Sequence, residues 1–232
     1  MTIRAVVFDA YGTLFDVYSI GALAEKLHPG QGAATANAWR EKQIEYTRLI
    51  TMSDPHSIGG SQHYRSFWDL TRASLRYTLQ RLKLNESAAN LDALMQQYAE
   101  FDAFPKNIGV LQTLKLCGLT TAILSNGSPD MPDSTVTSAG MTNVLDHVIS
   151  VDTVRCFKTS PESYALVQQV VPGEREEILF VSSNAWDALG ATWFGFNTLW
   201  VNRQGLPYEA IGPKPSDTGG DLREVLKVVA SS

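Results

Sequence analysis

The sequence predicts an α/β fold: a doubly wound, mostly parallel sheet of the Rossmann-like kind, with a helical cap inserted after the first strand. Three observations carry this. Five short apolar runs each end in small or polar residues, helix-length amphipathic stretches separate the last four, and no convincing strand falls between residues 17 and 104.

The apolar runs lie at 3–8, 120–124, 148–151, 178–181 and 198–201. Val, Ile and Phe dominate them, and near-continuous apolar runs of this length suit strands buried on both faces, hence a parallel sheet. They end before Asp9, Ser125-Asn126-Gly127, Asp152, Ser182-Ser183-Asn184 and Asn202-Arg203 respectively. Helices are expected between the last four at 131–139, 162–170 and 186–194, which makes the strand–helix alternation of a doubly wound sheet. The intervening region reads as helices at 20–27, 35–50, 64–84 and 87–99, broken by a loop at 53–62 that holds Pro55, Gly59 and Gly60. It is expected to sit over the carboxyl end of the sheet. The expected domains are therefore a core of 1–16 plus 105–232 and a cap of 17–104. A surface loop at 205–220, with three prolines, precedes a last helix at 221–229.

Composition narrows the function. Hydrophobic residues are 44% and charged residues 19%, as in an ordinary globular protein, and the formal net charge is −5. A mildly acidic chain lacks the basic stripe of a general nucleic-acid binder. The apolar runs are far below the roughly 18 to 20 residues of a membrane helix. The first residues turn acidic too soon for a signal peptide. Cys117 and Cys156 fall in no ligand-spaced cluster, so free thiols and no zinc site are expected. The reading is a cytoplasmic protein without nucleic-acid or membrane partners.

Ligands of open α/β sheets bind outside the carboxyl ends of the strands. Those ends supply Asp9, Ser125, Asn126, Ser182, Ser183 and Asn184, with Lys158 and Asp187 shortly after two of them. The set holds one candidate nucleophile, one cation, a second carboxylate and neutral hydrogen-bonding groups. Each has a plainer reading. Asp9 could be a turn or cap residue. Arg40 could be a solvated helix arginine, and Lys158 a surface lysine. Asp187 could cap its helix or pair with Lys158. Trp39, Phe67 and Trp186 could be core packing.

The segments Phe8-Asp9-Ala10-Tyr11-Gly12-Thr13, Leu124-Ser125-Asn126-Gly127, Lys158 and Val181-Ser182-Ser183-Asn184-Ala185-Trp186-Asp187 occur in one order. In that order they resemble the four motifs of the haloacid dehalogenase superfamily, and in detail its L-2-haloacid dehalogenases. The resemblance includes Trp39-Arg40-Glu41-Lys42-Gln43 in the insertion, and Gly195-Phe196-Asn197-Thr198 with Val201-Asn202-Arg203 near the end. It implies that Asp9 attacks C2 of an L-2-haloalkanoate, a small halogenated carboxylate, and that water then frees a D-2-hydroxy acid. It further implies that Arg40 and Asn126 receive the halide, and that Ser125 and Lys158 bind the substrate carboxylate. Thr13, Ser182, Asn184 and Asp187 would orient or activate water. Tyr11 and Tyr164 would shape the pocket, and Ile44, Phe67 and Trp186 would line it. Related enzymes pair through the cap, so a homodimer is expected.

The phosphatases of the superfamily carry a second Asp two residues after the nucleophile, and Tyr11 stands there instead. Their last motif adds carboxylates for Mg²⁺, whereas Ser182, Ser183 and Asn184 are neutral. Both departures point away from a metal-dependent phosphatase and toward a reaction with no metal or cofactor. A phospho-accepting switch domain would be about half this length and would need a cluster of acids. An inactive carboxylate-binding relative is the remaining alternative. The histidines His28, His56, His63 and His147 lie outside the motifs. The stretch 53–64 is longer than the family leads one to expect, which leaves Phe67 the least secure pocket residue.

Overall fold

The computed structural model describes residues 2–54 and 57–232. Its sheet contains strands β1 (Ala5–Phe8), β2 (Thr120–Ser125), β3 (His147–Ser150), β4 (Ile178–Ser182), β5 (Asn197–Val201) and β6 (Asp217–Gly219). The order is β3-β2-β1-β4-β5-β6 and every pairing is parallel. β1 and β4, at the centre, are buried at every residue, as their unbroken apolar sequences demand.

The strand β6 falls inside the expected surface loop at 205–220 and corrects it. Its three residues, Asp-Thr-Gly, form a mostly exposed edge, so no apolar signature marks it. The helices α6 (Asp130–Ser138), α7 (Pro161–Val170) and α8 (Ala185–Phe194) lie where they were expected, and α9 (Glu224–Ser231) closes the chain. An unanticipated helix, α5 (Asn107–Leu116), leads into β2. It starts after Lys106 in a left-handed conformation with no capping side chain, so the usual start signal is missing.

Between β1 and α5 lie α1 (Ile20–Leu27), α2 (Gly32–Met52), α3 (Phe67–Arg81) and α4 (Ala88–Ala99). They close a ring, with α2 packing on α1 and α3, and α4 on α1 and α3. The helix expected at 64–84 is shorter, because Ser66 ends the loop by accepting from the backbone N–H of Asp69 at 3.1 Å. Asp16 N donates to Asp102 O at 2.9 Å and Phe104 N to Leu14 O at 3.0 Å, so the two connections to the helical region run side by side. On that pairing we propose the division into 1–16 plus 105–232 and 17–104.

The long insertion loop also seats on the core. Pro55 and His56 lie outside the described residues. From Ser57 onward the loop meets the segment after β3. Ser61 N donates to Arg155 O at 3.3 Å, and Tyr64 Oη donates to an Asp152 carboxylate oxygen at 2.7 Å. Tyr64 stacks on Phe157 with centroids 5.2 Å apart. Gly60 makes this approach possible. Its φ is +90°, and a Cβ there would come within 2.3 Å of Val154 O. The substitution Gly60→Ala should therefore destabilise the protein by roughly 1–3 kcal/mol, read as a fall in thermal midpoint. An unchanged midpoint would mean that this docking contributes nothing.

Candidate active site

Strand order runs outward from β1 in both directions, to β2 and β3 on one side and β4 to β6 on the other. The carboxyl ends of β1 and β4 therefore flank the switch point of the sheet, where a crevice must open. Asp9 follows β1, Ser182 ends β4, and Ser125 ends β2 beside them.

Asp9 is nearly buried, and three side chains donate to its carboxylate. Lys158 Nζ lies 3.0 Å from Oδ1. Thr13 Oγ1 lies 3.0 Å and Asn184 Nδ2 2.8 Å from Oδ2. Thr13 Oγ1 in turn accepts from Ser183 N at 2.8 Å. These contacts fix the carboxylate in rotation and leave it little freedom to lose on reaction.

Lys158 is the electrostatic centre. Its side chain is wholly buried and its ammonium also reaches Asp187 Oδ2, 3.1 Å away. Burial alone would depress its pKa, but Asp187 and Asp9 outweigh that and raise it. An ammonium has three N–H donors. Two face carboxylates, so one remains for a further acceptor. Burial raises Asp187, with Lys158 opposing. The second oxygen of Asp187 accepts from Tyr164 Oη at 2.8 Å. Gly190 makes room for that contact, since a Cβ there would lie 2.5 Å from the Tyr164 hydroxyl. Burial, reinforced by Asp187, pushes the Tyr164 phenol well above its usual range, so it stays a donor.

The remaining strand-end residues brace this set. Asn126 Oδ1 accepts from Lys158 N at 2.9 Å. Ser125 Oγ accepts from Gly127 N at 2.9 Å and Ser182 Oγ from Asn184 N at 3.1 Å. From α2, Arg40 Nη2 reaches Tyr11 O and Asn184 Oδ1, both at 3.4 Å, so the helical region delivers a guanidinium to the core site.

A family model for haloacid dehalogenase-like hydrolases matches residues 3–195. The chain belongs to that family. (S)-2-haloacid dehalogenase H-109 of Pseudomonas putida is 41% identical over 223 residues, which is 96% of either chain. The crystal structure of one L-2-haloacid dehalogenase superposes with a TM-score of 0.94 at 50% identity, over 99% of this chain and all of that one. The L-2-haloacid dehalogenase of Xanthobacter autotrophicus, solved with chloropropionic acid covalently bound, gives 0.87 at 36% identity over 99% of both chains. The resemblance to L-2-haloacid dehalogenases expected from the motifs is borne out.

In this haloacid dehalogenase-like hydrolase the cap adds an aromatic wall. Tyr11 stacks on Phe67 at 6.3 Å and lies 5.6 Å from Tyr98. Phe67, doubtful from sequence, is buried here and also meets Phe157. Burial pushes the Tyr11 phenol far up, with Tyr98 adding to the effect, and its hydroxyl has no partner among the described residues. Ile44 is buried on α2 one turn beyond Arg40. Two expected pocket residues sit differently. Tyr164 is buried behind Asp187, against Phe180 and Phe194. Trp186 is half-buried, with the Arg48 guanidinium 5.8 Å above its ring.

A cavity of about 520 Å³ opens between cap and core, lined by Arg48, Thr51, Ser61, Cys156, Lys158 and Glu162 among others. Cys117 and Cys156 are both unpaired. Among the described residues, His28, His63 and His147 form no hydrogen bond or ion pair with the Asp9 side chain, whose partners are Lys158, Thr13 and Asn184, and His56 lies outside them. No group of three potential metal-ligating side chains forms among the described residues.

Sequence reading passed over several residues of this site. Gln43 accepts from Arg40 Nη1 at 2.7 Å and donates to Thr71 and Tyr98. Its place three residues after Arg40, on the same helix face, was an available signal. Asn107 donates to the carbonyls of Thr13 and Leu14, and Arg203 also holds this loop. Replacing Lys158 by Met should leave two buried carboxylates without their counter-charge. We expect a loss of about 3–5 kcal/mol, measured by urea denaturation. Wild-type stability would contradict the picture of a buried triad.

Proposed function

We propose that this chain hydrolyses L-2-haloalkanoates to D-2-hydroxy acids, with inversion at C2, through an ester on Asp9 and without a metal. The observation that carries the proposal is the Asp9 carboxylate held by Lys158, Thr13 and Asn184, with Tyr11 where a phosphatase needs an acid. All three of these relatives bear the name 2-haloacid dehalogenase, and one of them was solved with chloropropionic acid covalently bound.

Substrate enters from the cavity between cap and core. Its carboxylate takes the free N–H of Lys158 and the Ser125 hydroxyl. An Asp9 oxygen forms a bond to C2 while the C2–halogen bond breaks in line behind it. The halide leaves with the bonding pair, without protonation, and is received by Arg40 and Asn126. Water then attacks Cγ of the Asp9 ester, oriented by Thr13, Ser182, Asn184 and Asp187. The acyl C–O bond breaks and the product alkoxide takes one proton from that water. The second proton departs as Asp9 reionises. Tyr11, Ile44 and Phe67 bound the substrate alkyl group, with Trp186 further out, and Tyr164 orients Asp187.

The proposal extends to a homodimer in the cytoplasm. It draws on the resemblance to enzymes that pair through the cap, and on Leu49, Met52 and Ile58, whose apolar side chains are exposed there. No helix among the described residues is long and apolar enough to cross a membrane.

Halide release from L- and D-2-chloropropionate in excess EDTA tests the reaction. We expect release from the L enantiomer alone. Silence there, with Mg²⁺-dependent phosphate release from p-nitrophenyl phosphate, would overturn it. The variant Arg40→Ala should fold normally and turn over on the order of 100-fold more slowly. Undiminished turnover would remove the halide role from Arg40.

A further inference from the structure

Arg203 follows β5 and is no part of the reaction described so far, yet it touches both loops that hold Asp9. Its Nη1 donates to Gly12 O at 3.0 Å and to Ser183 Oγ at 2.5 Å. Its Nη2 donates to Thr13 O at 3.0 Å. The rigid guanidinium fork thus ties the loop after β1 to the loop after β4. The guanidinium carbon lies 4.0 Å from the ring centroid of Phe104, where the chain returns from the cap. Such a contact helps to hold the fork in place.

The two tied loops carry the two donors to Asp9 Oδ2. One is Thr13 Oγ1 and the other Asn184 Nδ2. The donor to Oδ1, Lys158, comes from a different segment that Arg203 does not touch. Arg203 therefore supports one oxygen of the nucleophile and leaves the other alone. The distinction matters once the ester has formed. If Oδ1, on the Lys158 side, bonds to C2, Oδ2 becomes the carbonyl oxygen. It then gathers negative charge as water attacks Cγ, and donors fixed on it stabilise that charge.

We propose that Arg203 is a positioning residue of the hydrolytic step. It holds Thr13 and Asn184 as a two-donor cradle for the developing oxyanion on Asp9 Oδ2, and acts more on ester hydrolysis than on displacement of the halide, in which Lys158 also holds Asp9. The inference rests on the ester mechanism proposed above. It adds a division of labour: Lys158 with Arg40 for ester formation, and the Arg203-braced loops for ester hydrolysis.

The test is steady-state kinetics of Arg203→Gln on L-2-chloropropionate, with intact-protein mass spectrometry of samples quenched during turnover. When only the second step slows, kcat and KM fall together and kcat/KM, which reports steps through ester formation, is preserved. We expect kcat to fall on the order of 10- to 100-fold, kcat/KM to change less than about threefold, and the Asp9 ester adduct to accumulate. A parallel loss of kcat and kcat/KM without adduct would overturn the proposal, as would wild-type constants with only a lowered melting point. If Arg203→Gln fails to fold, Ser183→Ala deletes one acceptor of the fork and should give the same signature in weaker form. Wild-type kinetics in a folded Ser183→Ala would then overturn the proposal. A wild-type protein that releases no halide would remove the ester mechanism itself, and this inference with it.

Discussion

The Lys158 ammonium lies wholly buried between the carboxylates of Asp9 and Asp187, 3.0 and 3.1 Å away. A charge in that position is tolerable only because both neighbours are anionic and oriented. The surroundings are built to keep them so. Tyr164 and Gly190 position Asp187 from behind, Thr13 and Asn184 hold the far side of Asp9, and Asn126 anchors the Lys158 backbone. Removing Lys158, Asp9 or Asp187 would leave the remaining charges uncompensated. The same arrangement rules the chemistry. A carboxylate that is paired with an ammonium, withdrawn from water and rotationally fixed is a competent nucleophile toward carbon. Tyr11 and the neutral Ser182, Ser183 and Asn184 suit a monoanionic substrate better than a phosphate ester.

The sheet explains why these groups meet. β1 and β4 are neighbours only because strand order reverses at β1. Residues some 175 positions apart, Asp9 and Asn184, thereby come within one hydrogen bond. The helices between β1 and α5 bring Arg40 over the opening, and Gln43, braced by Thr71 and Tyr98, aims it. The loop from Ser57 to Tyr64 seats on residues 152–157, immediately before Lys158. The position of the cap and the segment bearing the buried Lys158 are therefore mechanically joined.

Much of this was legible in the sequence because chemistry in such sheets concentrates at strand ends. Asp9, Ser125, Asn126, Ser182 and Asn184 were found by that rule, and Lys158 and Asp187 by proximity to it. Even the plainer reading of Asp187 as a partner of Lys158 describes its geometry. The rule failed where local signal was weak. β6 is a short exposed edge with no apolar run, and α5 begins without a cap. Arg203 stood at a strand end yet was set aside, because a lone arginine carries no mark of the three oxygens it will meet. The aromatic wall was only half visible. Tyr11 and Phe67 could be named, but their stacking with Tyr98 and Phe157 depends on packing between segments far apart in the chain.

The central claim is that Asp9, and not water, attacks carbon. Single-turnover reaction with excess enzyme in oxygen-18 water tests it most directly. The account predicts a product hydroxyl free of label and oxygen-18 in the Asp9 carboxylate, located by mass spectrometry of the peptide that contains it. Labelled product from the first turnover, with Asp9 unlabelled, would contradict it and make water the nucleophile at C2.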